Sequence, residues 1–253
     1  MFDERDNIWL AAFIKALGVH SANIAAPAIN VAPTLTAVPV APDGSLITAR
    51  LLLRLGVREP DAWVGPLAAA CAANGINTPL RLAAFLANIM HETACLSLLV
   101  ENLNYTPASL LKQWPSHFTV AAANKLGRTP SHPADQMGIA ELAYRGRGGN
   151  KPAGSGDGAL FCGHGGMMTT FRGNYTAFAK QIGWTRPVEQ LPAYLETREG
   201  AVTSAAVFWN QAHCNAPADR GDIDAVRRIV NGGSIGLAEV RVIYATAKHA
   251  LGV

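Results

Sequence analysis

One stretch decides the fold of this chain: Pro79-Leu80-Arg81-Leu82-Ala83-Ala84-Phe85-Leu86-Ala87-Asn88-Ile89-Met90-His91-Glu92-Thr93. Its apolar side chains recur at helical spacing, and a proline at the start is typical of the first turn of a helix. The pattern predicts a buried helix over residues 79–95. Glu92 lies near the end of that helix, where an ionisable group in apolar surroundings is unfavourable unless it is paired, solvated or used in function.

A second glutamate follows in the run Val100-Glu101-Asn102-Leu103-Asn104-Tyr105. Nine residues of unbroken helix would rotate Glu101 away from Glu92 by about half a turn and carry it roughly 13 Å along the axis. If the chain instead leaves the helix near Cys95, and residues 96–100 are extended, the two carboxylates can face each other across a groove. Inverting glycosidases need carboxyl groups about 6.5–9.5 Å apart, and retaining ones need about 5–5.5 Å. The pair indicates a two-carboxylate active site; the alternative is a surface Glu92 and a Glu101 that caps a turn.

Helical periodicity dominates the rest of the chain, and convincing alternating strands are few. The fold class expected is therefore mainly α, with at most a small β element. The helical patterns cover residues 48–56, 61–74, 79–95, 107–113, 119–126, 135–144, 171–182, 188–194, 199–212, 222–230 and 236–250.

The region from Pro79 to Phe118 resembles the core of glycoside hydrolase family 19, found in chitinases and phage endolysins. The resemblance continues in a consistent order to the end of the chain, covering about residues 48–253, and no single motif in it is decisive. It implies a lysozyme-like helical domain with a substrate cleft, preceded by an N-terminal extension. The stretches that carry it are residues 83–93, 101–106, 110–111, 114–118, 144–150, 156–158, 170–178, 204–209 and 231–233.

The resemblance also implies roles for individual residues. Glu92 matches the general acid, which requires a carboxyl kept protonated by a partly apolar setting, and Glu101 matches the general base. Thr170 matches the hydroxyl residue that helps to hold the attacking water, so inversion at the anomeric carbon is expected. Substrate contacts are expected from His91, Tyr105, Arg147, Asn174, Asn231 and Arg241; the alternatives are that Thr170 and Asn174 cap turns, that Asn231 ends a helix, and that the arginines are solvated surface charges.

One segment, residues 161–170, departs from the family pattern. Met168 stands where the family has a substrate-contacting glutamine, and a thioether cannot donate a hydrogen bond to a sugar. The same segment brings Cys162 near His164, and His213-Cys214 lies further along, but these spacings match a structural zinc site poorly. A zinc protease is rejected because the position four residues after His91 is Cys95 rather than histidine. No metal or cofactor is expected.

Four cysteines are scattered singly through the sequence and do not form a disulfide framework: Cys71, Cys95, Cys162 and Cys214. The pairing of any two of them is left open by the sequence. Cys71 and Cys95 are expected in buried helices, where a thiol acts as a small hydrophobe. This usage fits a protein made in the cytosol and released late.

Residues 1–47 precede the region of resemblance. Residues 1–20 contain a short apolar helix pattern with an acidic start, too short to span a bilayer and unlike a secretory signal. Residues 21–47 are rich in proline and alanine, which predicts a linker or a docking segment, and residues 48–253 are expected to form the catalytic domain. Residues 1–43 could tether the chain to a phage structural protein, or could pack on the catalytic domain.

The formal charge of +3 and a sequence pI near 8.7 favour an anionic wall polymer over nucleic acid as the partner. The preferred interpretation is a phage endolysin, a muramidase that cuts the β-1,4 bond between N-acetylmuramic acid and N-acetylglucosamine in peptidoglycan glycan strands. It would wait in the host cytoplasm and then reach the periplasm and cell wall. The alternatives are a virion-associated lysozyme, a chitinase and an inactive wall-binding homologue.

Overall fold

The computed structural model of this chain describes residues 46–253, and within that range the fold is mainly α, as predicted. The chain forms two compact units. Of the described residues, unit A contains 46–99, 165–167 and 194–253, and unit B contains 100–164 and 168–193.

Unit A is built around helix α3 (Pro79–Glu92). Thr78 caps this helix by accepting a hydrogen bond from the backbone N–H of Arg81, Pro79 occupies its first turn, and every residue from Leu82 to Met90 is buried. A helix that is buried on all sides must be surrounded by others. The other helices of the unit are α1 (Ala49–Arg54), α2 (Pro60–Ala73), α10 (Arg198–Gln211), α11 (Asn215–Asp219), α12 (Ile223–Asn231) and α13 (Leu237–Leu251). Of these, α13 packs along α3.

The expected end of α3 was wrong by about one turn. The helix stops at Glu92, and Ala94, Cys95 and Leu96 follow with positive φ angles of 47°, 58° and 62°. Thr93, which is fully buried, stabilises this left-handed turn, because its Oγ1 donates to the Ile89 carbonyl and accepts from the Leu96 N–H. Cys95 is therefore buried in a turn and not in a helix.

Unit B contains shorter helices, and each of its first three helices packs against the next one along the chain. Two isolated bridges, Val100 to His164 and His164 to Thr169, are its β structure, in keeping with the small β element that was expected. The helices are α4 (Pro107–Gln113), α5 (Val120–Leu126), α6 (Gln136–Tyr144), α7 (Asp157–Leu160) and α8 (Arg172–Gln181), followed by a 3-10 turn (Val188–Gln190).

The division between the units falls within the short helix α9 (Leu191–Leu195). The predicted helix over 188–194 is thus a 3-10 turn followed by α9, and α7 and α11 are short helices that the sequence pattern did not predict. No helix among residues 46–253 is both long enough and apolar enough to cross a membrane. The predicted helix within 1–20, nearly all of the 21–47 segment and the docking role of 1–43 lie outside the described residues, and the catalytic domain over 48–253 stays a prediction.

Candidate active site

Glu101 is buried in unit B, and its carboxylate accepts two hydrogen bonds. The Tyr144 hydroxyl donates to Oε1 at 2.5 Å, and the backbone N–H of Gly163 donates to Oε2 at 3.0 Å. The Glu101 N–H in turn donates to the Gly163 carbonyl at 2.8 Å. A Cβ on Gly163 would lie 3.2 Å from Glu101 Oε2, so a side chain at that position would crowd the carboxylate. Both the orientation and the backbone of Glu101 are thereby fixed.

Tyr144 is itself held by aromatic neighbours. Its ring meets those of Trp114 and Phe171 edge to face, at centroid distances of 6.3 and 5.4 Å. Burial, together with the nearby charge of Glu101, raises the pKa of the Tyr144 phenol well above its usual value, so the hydroxyl remains a donor. Sequence reasoning included Tyr144 in the segment of resemblance but did not assign it this contact with Glu101.

The side chains of Thr170 and Asn174 each donate a hydrogen bond to a nearby backbone carbonyl. The Thr170 hydroxyl donates to the Met168 carbonyl at 2.9 Å, and the Asn174 side-chain amide donates to the Thr170 carbonyl at 2.7 Å. Met168 and Phe171, which lie before and after Thr170 in the sequence, adopt positive φ angles of 49° and 75°. Such angles cost free energy for residues with a Cβ. The water-holding role of Thr170 and the sugar contact of Asn174 stay predictions.

Tyr105 and Arg147 are the remaining predicted site residues of unit B. Tyr105 packs edge to face on Trp114 at 5.3 Å, and burial, with a smaller effect of the Glu101 charge, raises the pKa of its phenol to about 12. Arg147 is exposed, and its guanidinium lies 5.5 Å from the centre of the Phe171 ring. Its substrate contact also stays a prediction.

Glu92, at the end of α3 in unit A, forms an ion pair with a partner that sequence reasoning missed. Arg227 Nη1 donates to Glu92 Oε1 at 2.5 Å, and the two side chains are 0% and 7% exposed. Arg227 also donates to the Ile235 carbonyl at 2.9 Å, which fixes the guanidinium. The setting of Glu92 thus differs from the partly apolar one expected, because a positive charge lies against the carboxylate. No hydrogen bond to Glu92 Oε2 occurs within residues 46–253.

His91 precedes Glu92 and is largely buried against the turn that begins α13. Its ring fills the space beside Gly236, where a Cβ would lie 2.2 Å from Nε2, and Nδ1 is 3.6 Å from the carboxylate of Glu239. The pKa of the His91 imidazole is lowered, mainly by burial, while the charge of Glu92 acts in the opposite direction.

Asn231 and Arg241 differ sharply in their surroundings. Asn231 is buried at the end of α12, and its Oδ1 has no hydrogen-bond partner in the described part of the chain. Arg241 is 56% exposed and is paired with Asp224 through both Nε and Nη2, so it ties α13 to α12.

The departing segment contains a second buried network. His164 Nδ1 is 2.6 Å from the Tyr175 hydroxyl and 2.8 Å from the Cys162 carbonyl. No group of three metal-ligating side chains occurs among residues 46–253. The four thiols are free and buried, and burial raises the pKa of Cys71 and Cys214 to about 12, which disfavours the thiolate that zinc would need.

Comparison with known proteins adds an independent observation. No family model matches the chain. A protein of Haemophilus influenzae described as a glycosyl hydrolase family 19 domain-containing protein is 30% identical over 171 residues, which cover 67% of this chain and 80% of that protein.

Proposed function

Because the chain belongs to glycosyl hydrolase family 19, we propose that it is a peptidoglycan hydrolase, a phage endolysin with muramidase activity and an inverting mechanism. The observation that carries the proposal is that Glu92 and Glu101 are each held by a dedicated buried partner, Arg227 and Tyr144. Ion pairs and hydrogen bonds of this kind fix a carboxyl group in one orientation, as acid–base catalysis requires.

Glu101 suits the general base. The Tyr144 hydroxyl and the Gly163 N–H donate to its two oxygens, so the carboxylate is held in one orientation. Such a carboxylate can accept a proton from a water that attacks the anomeric carbon, and Thr170 is the proposed second contact of that water.

We assign the general acid to Glu92 on the resemblance to glycoside hydrolase family 19, although the Arg227 guanidinium and not an apolar wall lies against its carboxylate. Oε1 accepts from Arg227, which leaves Oε2 as the oxygen that can carry the proton to the leaving glycosidic oxygen. Once the proton has left, Glu92 is an anion beside a guanidinium. Arg227 therefore stabilises the charge that develops during the transfer, in a place that excludes most water.

In this proposal the enzyme accumulates in the host cytoplasm and acts on the cell wall after the membrane opens. The net charge of +3 favours approach to an anionic wall polymer.

The proposal is tested by digesting purified Gram-negative peptidoglycan with the wild type and with Glu92→Gln. Mass spectrometry should find new N-acetylmuramic acid reducing ends with the wild type, and NMR should find the inverted anomer first. Glu92→Gln should lower kcat by about 10²–10⁴, the usual contribution of a positioned general acid. Asp61→Asn, an exposed carboxylate on α2, is the matched control and should retain activity.

The outcomes separate the alternatives. N-acetylglucosamine ends would identify a glucosaminidase, and cleavage of chitin oligomers in preference to sacculi would identify a chitinase. Binding of both proteins to sacculi without new ends would replace catalysis with a wall-binding role.

A further inference from the structure

Unit A contains a cavity of about 660 Å³ that the roles assigned above do not use. This volume lies within the range of about 300–1,000 Å³ that is usual for small-ligand sites. Its walls come from the start of α2, the left-handed turn after Glu92 and the start of α10, and they are formed by Arg58, Glu59, Ala62, Trp63, Cys95, Leu96, Ser97, Leu99, Glu196, Thr197, Arg198 and Glu199.

The cavity has an apolar floor and a charged rim. Trp63, Cys95 and Leu96 are buried in its walls, whereas five exposed side chains of both signs surround it. The arginines are Arg58 and Arg198, and the glutamates are Glu59, Glu196 and Glu199. A ligand that satisfies such a rim carries both carboxylates and an amine.

One of the arginines is already fixed in place. The Arg198 guanidinium donates to the Glu59 carboxylate and lies 5.7 Å from the centre of the Trp63 ring. By contrast, neither the Arg58 side chain nor the Glu199 side chain forms a hydrogen bond or an ion pair in the described part of the chain. These two are free to bind a charged ligand, and the fixed pair positions an aromatic face beside them.

The turn that lines this cavity is directly connected to Glu92. Cys95 follows Glu92 by three residues, so their Cα atoms lie at most roughly 11 Å apart. Three consecutive left-handed residues shape the turn, although none is glycine, and backbone strain of this kind often occurs at functional sites. A substituent of a sugar bound at Glu92 can reach the cavity over that distance.

We infer that the cavity binds the peptide stem of the substrate, so the enzyme acts on peptide-substituted glycan. This inference rests on the proposed function. A chitin chain is uncharged and offers nothing to two arginines and three glutamates, whereas the stem on muramic acid carries carboxylates and a free amine. Arg58 binds a stem carboxylate, Glu199 binds the amine, and the Trp63 wall packs against the aliphatic part of the peptide.

The test compares two substrates that differ in the peptide alone: intact sacculi fragments, and the same glycan strands after an amidase has removed the stems. Arg58→Ala should lower kcat/KM on the peptide-bearing strands about tenfold, the effect of one lost charge-assisted hydrogen bond, and should leave stripped strands unaffected. Arg50→Ala, an exposed arginine of α1 outside the cavity, is the matched control and should change neither rate.

A second measurement does not depend on activity. Calorimetry with the isolated tetrapeptide stem should detect binding to the wild type, and weaker binding to Arg58→Ala and Glu199→Gln. Equal losses on both substrates, or no binding of the peptide at millimolar concentration, would overturn the assignment of the cavity. If the wild type cleaved neither substrate, the proposed function would fail, while peptide binding would still decide what the cavity recognises.

Discussion

Replacing Tyr144 by phenylalanine removes one hydroxyl and keeps the ring that packs on Trp114 and Phe171. The lost hydrogen bond is 2.5 Å long and joins a tyrosine that is 2% exposed to a glutamate that is 6% exposed. Hydrogen bonds to charged groups contribute about 1.5–3 kcal/mol, and the Gly163 N–H remains as a donor to the other oxygen. We expect Tyr144→Phe to lower the free energy of unfolding by about 2 kcal/mol.

The same substitution at Tyr244 provides a control with a different expected result. The Tyr244 hydroxyl is buried, and it has no hydrogen-bond partner within residues 46–253. Removing an unsatisfied hydroxyl loses no bond and relieves a desolvation cost. Tyr244→Phe should therefore leave the stability unchanged or raise it by up to about 1 kcal/mol.

Thermal unfolding followed by circular dichroism measures both variants. For a chain of this size, about 2 kcal/mol corresponds to a fall in Tm of roughly 4–8 °C, expected for Tyr144→Phe alone. In peptidoglycan digestion, Tyr144→Phe should lower kcat more than it changes KM, because Glu101 loses orientation and not substrate contact. Equal Tm values for the two variants, or an unchanged kcat in Tyr144→Phe, would refute the assignment of Tyr144 as the residue that positions Glu101.

Two further predictions concern the turn after α3 and its last helical residues. Ala94→Gly should raise the free energy of unfolding by about 0.5–1 kcal/mol in urea titrations, because a left-handed φ costs alanine roughly 1–2 kcal/mol and glycine loses part of that gain as chain entropy. The same change at Ala69, an exposed residue inside α2, should lower the free energy of unfolding. A lower free energy of unfolding in both variants would contradict the strain argument. Burial lowers the pKa of His91 below its ordinary 6.5, so the unfolded chain binds the proton more readily, and the contribution of His91 to stability is present above about pH 6.5 and lost as the pH falls. His91→Gln should flatten the decline in unfolding free energy between pH 7.5 and 5.5, and a decline as steep as that of the wild type would contradict this prediction.

The helices were predictable because their signals are local. Apolar residues at helical spacing identified nearly every long helix, and Pro79 indicated the start of α3, where Thr78 caps the first turn. The end of α3 was predicted wrongly because no local signal marks it. Ala94-Cys95-Leu96 contains no glycine or proline, and the bonds that hold it left-handed depend on Thr93, whose hydroxyl gives no distinctive sequence signal.

The partners of the two glutamates were beyond local reasoning. Arg227 is 135 residues from Glu92, and Tyr144 is 43 residues from Glu101. Sequence spacing limits which residues can share a helix face, but it does not identify contacts made across that much chain. The sequence did contain one signal for Arg227. It lies on the apolar face of an amphipathic helix, beside Ile223, Val226 and Val230, and a buried charge on such a face needs a partner.

Two of the three predicted substrate contacts of unit A, Asn231 and Arg241, differ in their free hydrogen-bonding capacity. Arg241 is engaged by Asp224 through two nitrogens, so a sugar would have to compete with an ion pair that is already formed. Asn231 lies one helical turn beyond Arg227, and within residues 46–253 both Asn231 Oδ1 and Arg227 Nη2 are buried without partners. An unsatisfied buried polar group costs about 1–3 kcal/mol, and a hydroxyl that donates to Oδ1 and accepts from Nη2 would recover it. The sugar contacts of Asn231 and Arg241 stay predictions, and the unsatisfied Oδ1 makes Asn231 the stronger candidate of the two.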